Sequence, residues 1–338
     1  MKIIKSKAKS SGKAKSQKVS PTKPGSASMT ALGLGGLSQE LRPRIKELRN
    51  SLSLIRENIT AMMGLIMVLS IVIIALLAPV IAPPGLGDPM VIPKDFGDPQ
   101  PPGAPGHLLG TGKWGSDMLY GLVWGARTSI TIAVFVVFTA MIVGIMLGAL
   151  SGYYGGKVDD IIMRLTDVFL SLPALILAMA IASILERTLI NLMLALIIVW
   201  WPPYARLIRA QVLSVKENTY VEAARAIGAS RNRILFKHIV PNSLSPIIVS
   251  VTMDMGAVVL VAAGLSYIGF GVETGYAEWG RMVSDGQQFF LSTVYYLGEP
   301  INPWWVVVFP GTMILLFTMG FSLLGDSLRD ILDPRLRR

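Results

Sequence analysis

Residues 220–241 read YVEAARAIGASRNRILFKHIVP, a charged stretch set between two strongly apolar segments. Good helix formers fill its first half and predict a helix over 215–227, on which Ala223, Ala224 and Ala226 leave a small, flat face that another protein's groove can accept closely. Gly228 is the residue that most easily ends a helix in left-handed geometry. Ser230 then suits the N-cap of a second helix through Ile234, Leu235 and Phe236, and Pro241, without an N–H, ends that pattern. The expected product is a helix-turn-helix outside a bilayer. On charge alone, Arg225, Arg231, Arg233 and Lys237 favour a loop that only meets anionic lipid headgroups.

The rest of the chain supplies the bilayer. Of 338 residues, 52% are hydrophobic and 15% charged, with a mean hydropathy of +0.56; soluble domains are rarely so apolar. A spanning helix needs about 20 mainly apolar residues, and six segments qualify: 61–81, 128–150, 167–185, 189–201, 246–270 and 304–324. The fourth is the shortest because Pro202 and Pro203 cut it off. The fold class is therefore all-α and polytopic, with six transmembrane helices.

Cations set the expected orientation. Thirteen Lys and Arg residues precede the first span, from Lys2 to Arg56, whereas the loop over 83–125 has only Lys94 and Lys113. By the positive-inside rule the N-terminus is cytoplasmic. Six crossings return the C-terminal tail, 326–338, with Arg329, Arg335, Arg337 and Arg338, to the same side and place 215–241 there too. The loop over 271–302 falls outside, with Glu273, Glu278, Asp285 and Glu299 against Arg281. Trp304 and Trp305 open the last helix at an interface.

A net charge of +10 and a pI near 9.8 could suggest nucleic acid, but the excess lies in the cytoplasmic flanks and needs no such partner. The absence of cysteine excludes disulfides, thiolate metal sites and a Cys nucleophile. His107 and His238 are too few and too far apart for a zinc site. Residues 1–37 have the Lys/Ser- and Gly/Ser/Pro-rich composition of a disordered basic tail. They do not read as a signal peptide, since no apolar stretch follows the charges until Ala61. Over 38–59, Ile45, Leu48, Leu52, Ile55 and Ile59 recur at helical spacing, predicting a cytoplasmic amphipathic helix that leads into the first span, 60–82.

Glu222-Ala223-Ala224, with Gly228 four residues after Ala224 and Pro241 closing the stretch, resembles the EAA loop of ABC-importer permeases. His238 and Val240 stand where the general pattern has Ile and Leu, and the His form resembles the peptide and nickel branch. The likeness extends through Leu109-Gly110-Thr111, Gly115, Asp117 and Gly125-Ala126-Arg127, with Gly112 and Ser116 departing from the pattern. It continues through Gly152-Tyr153-Tyr154-Gly155-Gly156, Leu265 to Gly271, and Glu278-Trp279-Gly280-Arg281-Met282, and ends in GFSLLGDSLRDILDPR, 320–335, where Ser322 takes the place of the usual Asn. In this order the motifs are similar to those of C-type permeases for dipeptides, oligopeptides and nickel.

That resemblance implies the type I ABC-importer permease fold, with a five-helix core over 126–325. It implies a coupling loop in which Glu222, Ala223, Ala224, Ile227, Gly228, Arg231 and Pro241 meet the ATPase. The implied partners are a second related permease chain, two ABC ATPase subunits and an extracytoplasmic binding protein, besides membrane lipid. This chain would bind no cofactor, with ATP and Mg on the ATPases, and would not itself be an enzyme. Gly106 to Lys113 superficially resembles a phosphate-binding loop, but the spacing is one residue too long and Trp114 stands where Ser or Thr would hold magnesium. The implied cargo is peptide, with oligosaccharides or nickel chelates as alternatives.

Asp254 lies about 12 Å into the bilayer, counted at 1.5 Å per residue from Pro246, where an unpaired carboxylate is expensive. Two readings stand level: Asp254 on the translocation path with Met253 and Met255, or a carboxyl bonded to a neighbouring helix or to the partner permease. Gly144 and Gly148 fit close helix approach, most simply within one subunit. Asp254 with Asp326 also raises an intramembrane aspartyl protease, but Leu323-Leu324-Gly325-Asp326 lacks the first Gly of the Gly-x-Gly-Asp signature. A secondary transporter would be expected to show an inverted repeat, and none is visible.

Overall fold

A computed structural model describes residues 58–85 and 87–332. The tail over 1–37, the amphipathic helix over 38–59 apart from its last two residues, and Asp333 with the arginines beyond it lie outside the described residues.

Helix α1, Ile59–Ile81, begins where the Asn58 carboxamide oxygen accepts from the Thr60 and Ala61 amides at 3.0 and 3.3 Å. Helix α2, Met118–Tyr154, is capped by Asp117, which accepts from the Tyr120 amide at 2.7 Å. Its 37 residues make about 55 Å of helix, well beyond a hydrocarbon core of about 30 Å. The excess is wrapped in protein: Tyr120 to Ala126 are all buried, and large apolar side chains become exposed only from Val134 onward.

The segment expected to cross as 167–185 is broken. Helix α3, Gly156–Leu170, and helix α4, Ala174–Ala182, meet at 88°. Pro173 stands at the N-cap of α4 and disfavours helical backbone at Leu172, and α3 carries Lys157, Asp159, Asp160, Arg164 and Asp167, too many charges for a lipid-embedded helix. The next segment corrects the expectation in the other direction. Helix α5, Leu189–Val215, runs through Pro202 and Pro203, because ending a helix inside a bilayer exposes more backbone than two prolines do, and buried neighbours absorb the distortion. Helix α8 spans Ser245–Ile268 and helix α10 spans Trp305–Leu332, with Pro310 inside it. Among the described residues five helices are long and apolar enough to cross a membrane, and the bent pair α3–α4 makes six crossings if it counts as one.

Glycines set the helix contacts. A Cβ on Gly144 would meet Tyr204 Cβ at 2.4 Å, one on Gly148 the Ala205 carbonyl at 2.3 Å, and one on Gly152 the Arg209 carbonyl at 2.9 Å. The small stripe on α2 is thus spent on α5 of the same chain. Gly64 and Gly320 bring α1 and α10 together, while Gly256 and Gly325 do the same for α8 and α10. Two hydrophobic cores result, one around α2, α5 and the 220–241 stretch and the other around α1, α10, Trp279 and Met282, and Met255 packs against both.

A cap of protein covers one end. It holds helix α9, Trp279–Phe290, and an antiparallel hairpin of β1, Val294–Tyr296, and β2, Glu299–Ile301. Two indole N–H groups tie it to the bundle, from Trp279 to the Leu122 carbonyl and from Trp305 to the Thr111 carbonyl, both at 3.0 Å, while the Trp124 indole joins α2 to the end of α1 at the Ala82 carbonyl, at 2.9 Å. Trp279 fits because Gly125 faces it, and Gly280 lets α9 lie on the α8 backbone at Ala263. The fully buried Glu278 carboxylate caps α9 through the Gly280 and Arg281 amides at 2.9 and 2.7 Å, and burial raises its pKa.

Candidate functional site

At the end of the bundle opposite the cap, α5 stops at Val215, where the Asn218 side chain donates to the Val215 carbonyl at 3.0 Å. The single helix expected over 215–227 is therefore two, separated by a turn at Lys216 to Asn218, with α6 occupying Thr219–Ala226. Asn218 closes that turn through its own side chain, which competes with continued helix. Val221 and Ala224 of α6 point inward, while Glu222, Ala223, Arg225, Ala226 and Ile227 face out, Ile227 at 85% exposure. Only Ala223 and Ala226 of the three small residues remain on the free face.

Gly228 has φ +80°. The Ala229 amide donates to the Ala224 carbonyl and the Gly228 amide to the Arg225 carbonyl, both at 3.1 Å, which closes the helix end as the residue order predicts. Ser230 is extended and begins α7, Arg231–Arg233, without a side-chain capping bond. The second helix does not end at Pro241. It widens into a π-helical turn, Ile234–Ile239, and tightens into a 3₁₀ turn, Val240–Ser243, before α8 starts at Ser245. Pro241 sits in the first turn of the 3₁₀ segment, where its missing N–H is not needed. Ile234, Leu235 and Ile239 are buried in the same core as Val221 and Ala224, so this loop is packed as a solid piece.

Behind it lies a polar joint. Arg209 of α5 donates from Nε and Nη2 to the two oxygens of Asp159 on α3, each at 2.6 Å, and Ser151 of α2 bonds the same carboxylate. Lys216 Nζ reaches the Gly152 carbonyl at 3.3 Å, and Tyr154 Oη donates to Asn232 of the loop at 3.3 Å. A bidentate pair of this kind fixes orientation as well as distance. Sequence reasoning missed it, although an Arg and an Asp facing apolar neighbours were the signal.

Asp254 is half-buried on α8, and Tyr204 Oη donates to its Oδ2 at 2.6 Å. Tyr204 is 1% exposed and wedged against Gly144. This bond joins α8 to α5. Met253 turns toward Gly325 of α10, and Met255 fills the contact between the cores. The loop residues and Asp254 are separate sites, joined through α5.

In the cap, His107 bonds Asp117 through Nδ1 at 2.7 Å and Asp95 through Nε2 at 3.0 Å. The Asp117 hydrogen bond, helped by Asp95 and opposed by burial, lifts its pKa above the ordinary value of 6.5. Among the described residues no group of His, Asp and Glu is arranged to hold a metal ion.

Apolar spans, glycine-packed helices and a rigid helical loop at one end define a multi-pass transport component of the plasma membrane. Residues 144–338 match the family of binding-protein-dependent transport system inner membrane components, and residues 49–102 match the N-terminal transmembrane domain of oligopeptide transport permease C. The chain belongs to that family. A dipeptide transport system permease protein of Alkalihalophilus pseudofirmus is 38% identical over 86% of this chain and 90% of its own length. A probable D,D-dipeptide transport system permease of Escherichia coli is 44% identical over 70% and 75%. An oligopeptide transport system permease of Bacillus subtilis is 35% identical over 84% and 88%. A solved methionine ABC transporter in an inward-facing conformation is similar at 20% identity and a TM-score of 0.48 over 64% of this chain and 98% of that one, a likeness too slight to build on.

Proposed function

We propose that this chain is the permease subunit of an ATP-driven importer of di- or oligopeptides. It lines the path together with a second related permease chain, and it meets two ABC ATPases on the cytoplasmic side and a binding protein outside. The loop over 215–241 carries this reading. It is the exposed end of a packed unit, its relatives carry peptide-transport names, and the positive-inside rule assigns it and both termini to the cytoplasm. The cap and the loop over 271–302 then face outward, and the chain itself hydrolyses nothing, ATP and Mg being held by the ATPases.

The mechanism follows from stiffness. The outward face of α6, with Glu222, Ala223, Ala226 and Ile227, meets the ATPase, and Gly228 and Arg231 shape the turn beside it. ATP-driven closure of the ATPases displaces this face. The inward face, Val221 and Ala224, is packed on Ile234, Leu235 and Ile239, so the displacement passes into the start of α8 and the end of α5. Arg209–Asp159 and the glycine contacts make α2, α3 and α5 move as one body, and the Tyr204–Asp254 bond carries the movement into α8. The two sides exchange access because packed helices switch between discrete arrangements.

ATPase activity of the reconstituted complex, with its binding protein preloaded with short peptides or with oligosaccharides, tests the cargo. Stimulation by peptide supports the reading. Stimulation by oligosaccharide alone, or by nickel chelate alone, keeps the architecture and overturns the substrate.

A further inference from the structure

An open cleft of about 550 Å³ lies where the last turn of α2 faces the loop after α5, lined by Tyr153, Tyr154, Arg225, Ala229, Arg231 and Ile234. Its volume falls in the range of about 300–1,000 Å³ usual for small-ligand sites. The walls are held in place: Tyr153 packs on the core and meets Tyr154 edge-on at 5.3 Å, Tyr154 Oη donates to Asn232 at 3.3 Å, and Ile234 is buried. The two arginines bring charge without a counter-charge. Arg225 stands in the last turn of α6 and Arg231 opens α7; both are exposed, and among the described residues neither is in an ion pair, not even with Glu222 one turn before Arg225.

Two guanidinium groups at one cleft repel each other, and an anion between them removes that repulsion. The planar fork of each matches two oxygens of a phosphate group, and tyrosine hydroxyls add neutral donors. We infer that this cleft binds a phosphate group, and that an anionic phospholipid of the cytoplasmic leaflet supplies it. The inference rests on the assignment of this end of the bundle to the cytoplasm.

The level of the cleft favours lipid over soluble phosphate. Tyr153 and Tyr154 end one of the helices apolar enough to span, and Tyr is a residue of membrane–water boundaries. Directly after them α3 carries Val158, Ile161, Leu165 and Val168, 43 to 68% exposed, and beside these Lys157, Asp160, Arg164 and Asp167, also exposed and at the same helical spacing. A helix that opens an apolar and a charged stripe side by side belongs at the boundary between acyl chains and water. Basic pockets beside spanning helices on the cytoplasmic side take anionic headgroups. A phosphate held here joins α2 to α6 and α7, so the stiffness of the loop, and with it the coupling of ATP hydrolysis to uptake, follows the anionic lipid content of the membrane.

The complete complex, with both permeases and the ATPases, is titrated with phosphatidylglycerol in detergent, and bound lipid is counted by native mass spectrometry. The same complex in phosphatidylcholine proteoliposomes, with and without phosphatidylglycerol, reports ATP hydrolysis stimulated by peptide-loaded binding protein. Arg225→Gln, alone and with Arg231→Gln, empties the cleft of charge, while Arg233→Gln with Lys237→Gln removes equal charge from the same loop outside it. The expected result is an affinity for phosphatidylglycerol about fivefold lower for each cleft arginine removed and changed by less than about twofold in the control pair. The gain in stimulated hydrolysis from phosphatidylglycerol should persist in the control pair and shrink in the cleft variants. If the double variant does not assemble, Arg225→Gln alone decides. Inorganic phosphate added to phosphatidylcholine proteoliposomes separates the sources: an equal gain would overturn lipid as the occupant and keep the phosphate site. Equal loss of lipid in the control pair would reduce the cleft to part of a diffuse surface charge, unchanged binding in Arg225→Gln would leave it without a ligand, and loss of the ATPases from Arg225→Gln in every membrane would assign it to them; each overturns the inference. Lipid binding by a wild type that no binding protein stimulates would keep the cleft and overturn the transport reading.

Discussion

Tyr204 donates its phenolic hydrogen to Asp254 at 2.6 Å and so joins α5, which leads into the exposed loop, to α8, which leads out of it. The bond closes a frame between the loop and the middle of α8. Tyr204→Phe removes the bond without changing shape and leaves the Asp254 carboxyl without that donor, at a cost of about 1–3 kcal/mol. Thermal unfolding of the purified complex should shift down accordingly.

Asp254→Asn should reduce uptake of cationic and neutral peptides by the same factor, because the side chain acts as part of the joint. Paired uptake assays in proteoliposomes check this, and a loss confined to cationic peptides would instead place Asp254 on the path.

Gly228→Val should abolish uptake while the protein remains in the membrane. A β-branched residue resists φ +80°, so the turn after α6 reshapes and Ile227 no longer presents the same face. Uptake and membrane abundance measured together separate this from simple loss of protein.

Gly148→Leu should prevent assembly more severely than any exposed substitution on α6, since its Cβ would sit 2.3 Å from the Ala205 carbonyl and backbone cannot yield as a side chain can. Overpacking of this kind costs roughly 1–3 kcal/mol or more, and recovery of folded complex after detergent extraction reports it.

His107 gives the cap a pH dependence. Its folded pKa lies above its unfolded one, owing first to Asp117, so its contribution is complete below about pH 6.5 and fades as pH rises through the folded value. Cap stability, read by protease nicking of residues 83–117, should fall from pH 6 to pH 9 in the wild type, and His107→Gln should flatten that slope.

The spans and the Gly228 turn were legible because long apolar runs, helix formers and left-handed glycine act locally. The break between α3 and α4 was not: the apolar run from Asp167 hid the charges of the preceding turns, and Pro173 decided the bend. Pro202 and Pro203 misled in reverse, since the cost of ending a helix in lipid outweighs what prolines do in water. The motifs Gly152 to Gly156 and Glu278 to Met282 could be seen in sequence, but their work depends on partners more than 50 residues away, Arg209 and Val212 for Gly152 and Leu122 for Trp279. Asp254 announced that it needed a partner without naming Tyr204.

We propose that the outward face of α6 meets the ATPase. The chain has no cysteine, so Ile227→Cys, at a position 85% exposed, carries a single photoreactive maleimide in the reconstituted complex. The expected result is a crosslink to the ATPase subunit whose yield changes between nucleotide-free and ATP-bound states. A crosslink to the binding protein, or one to lipid alone in both states, would contradict it.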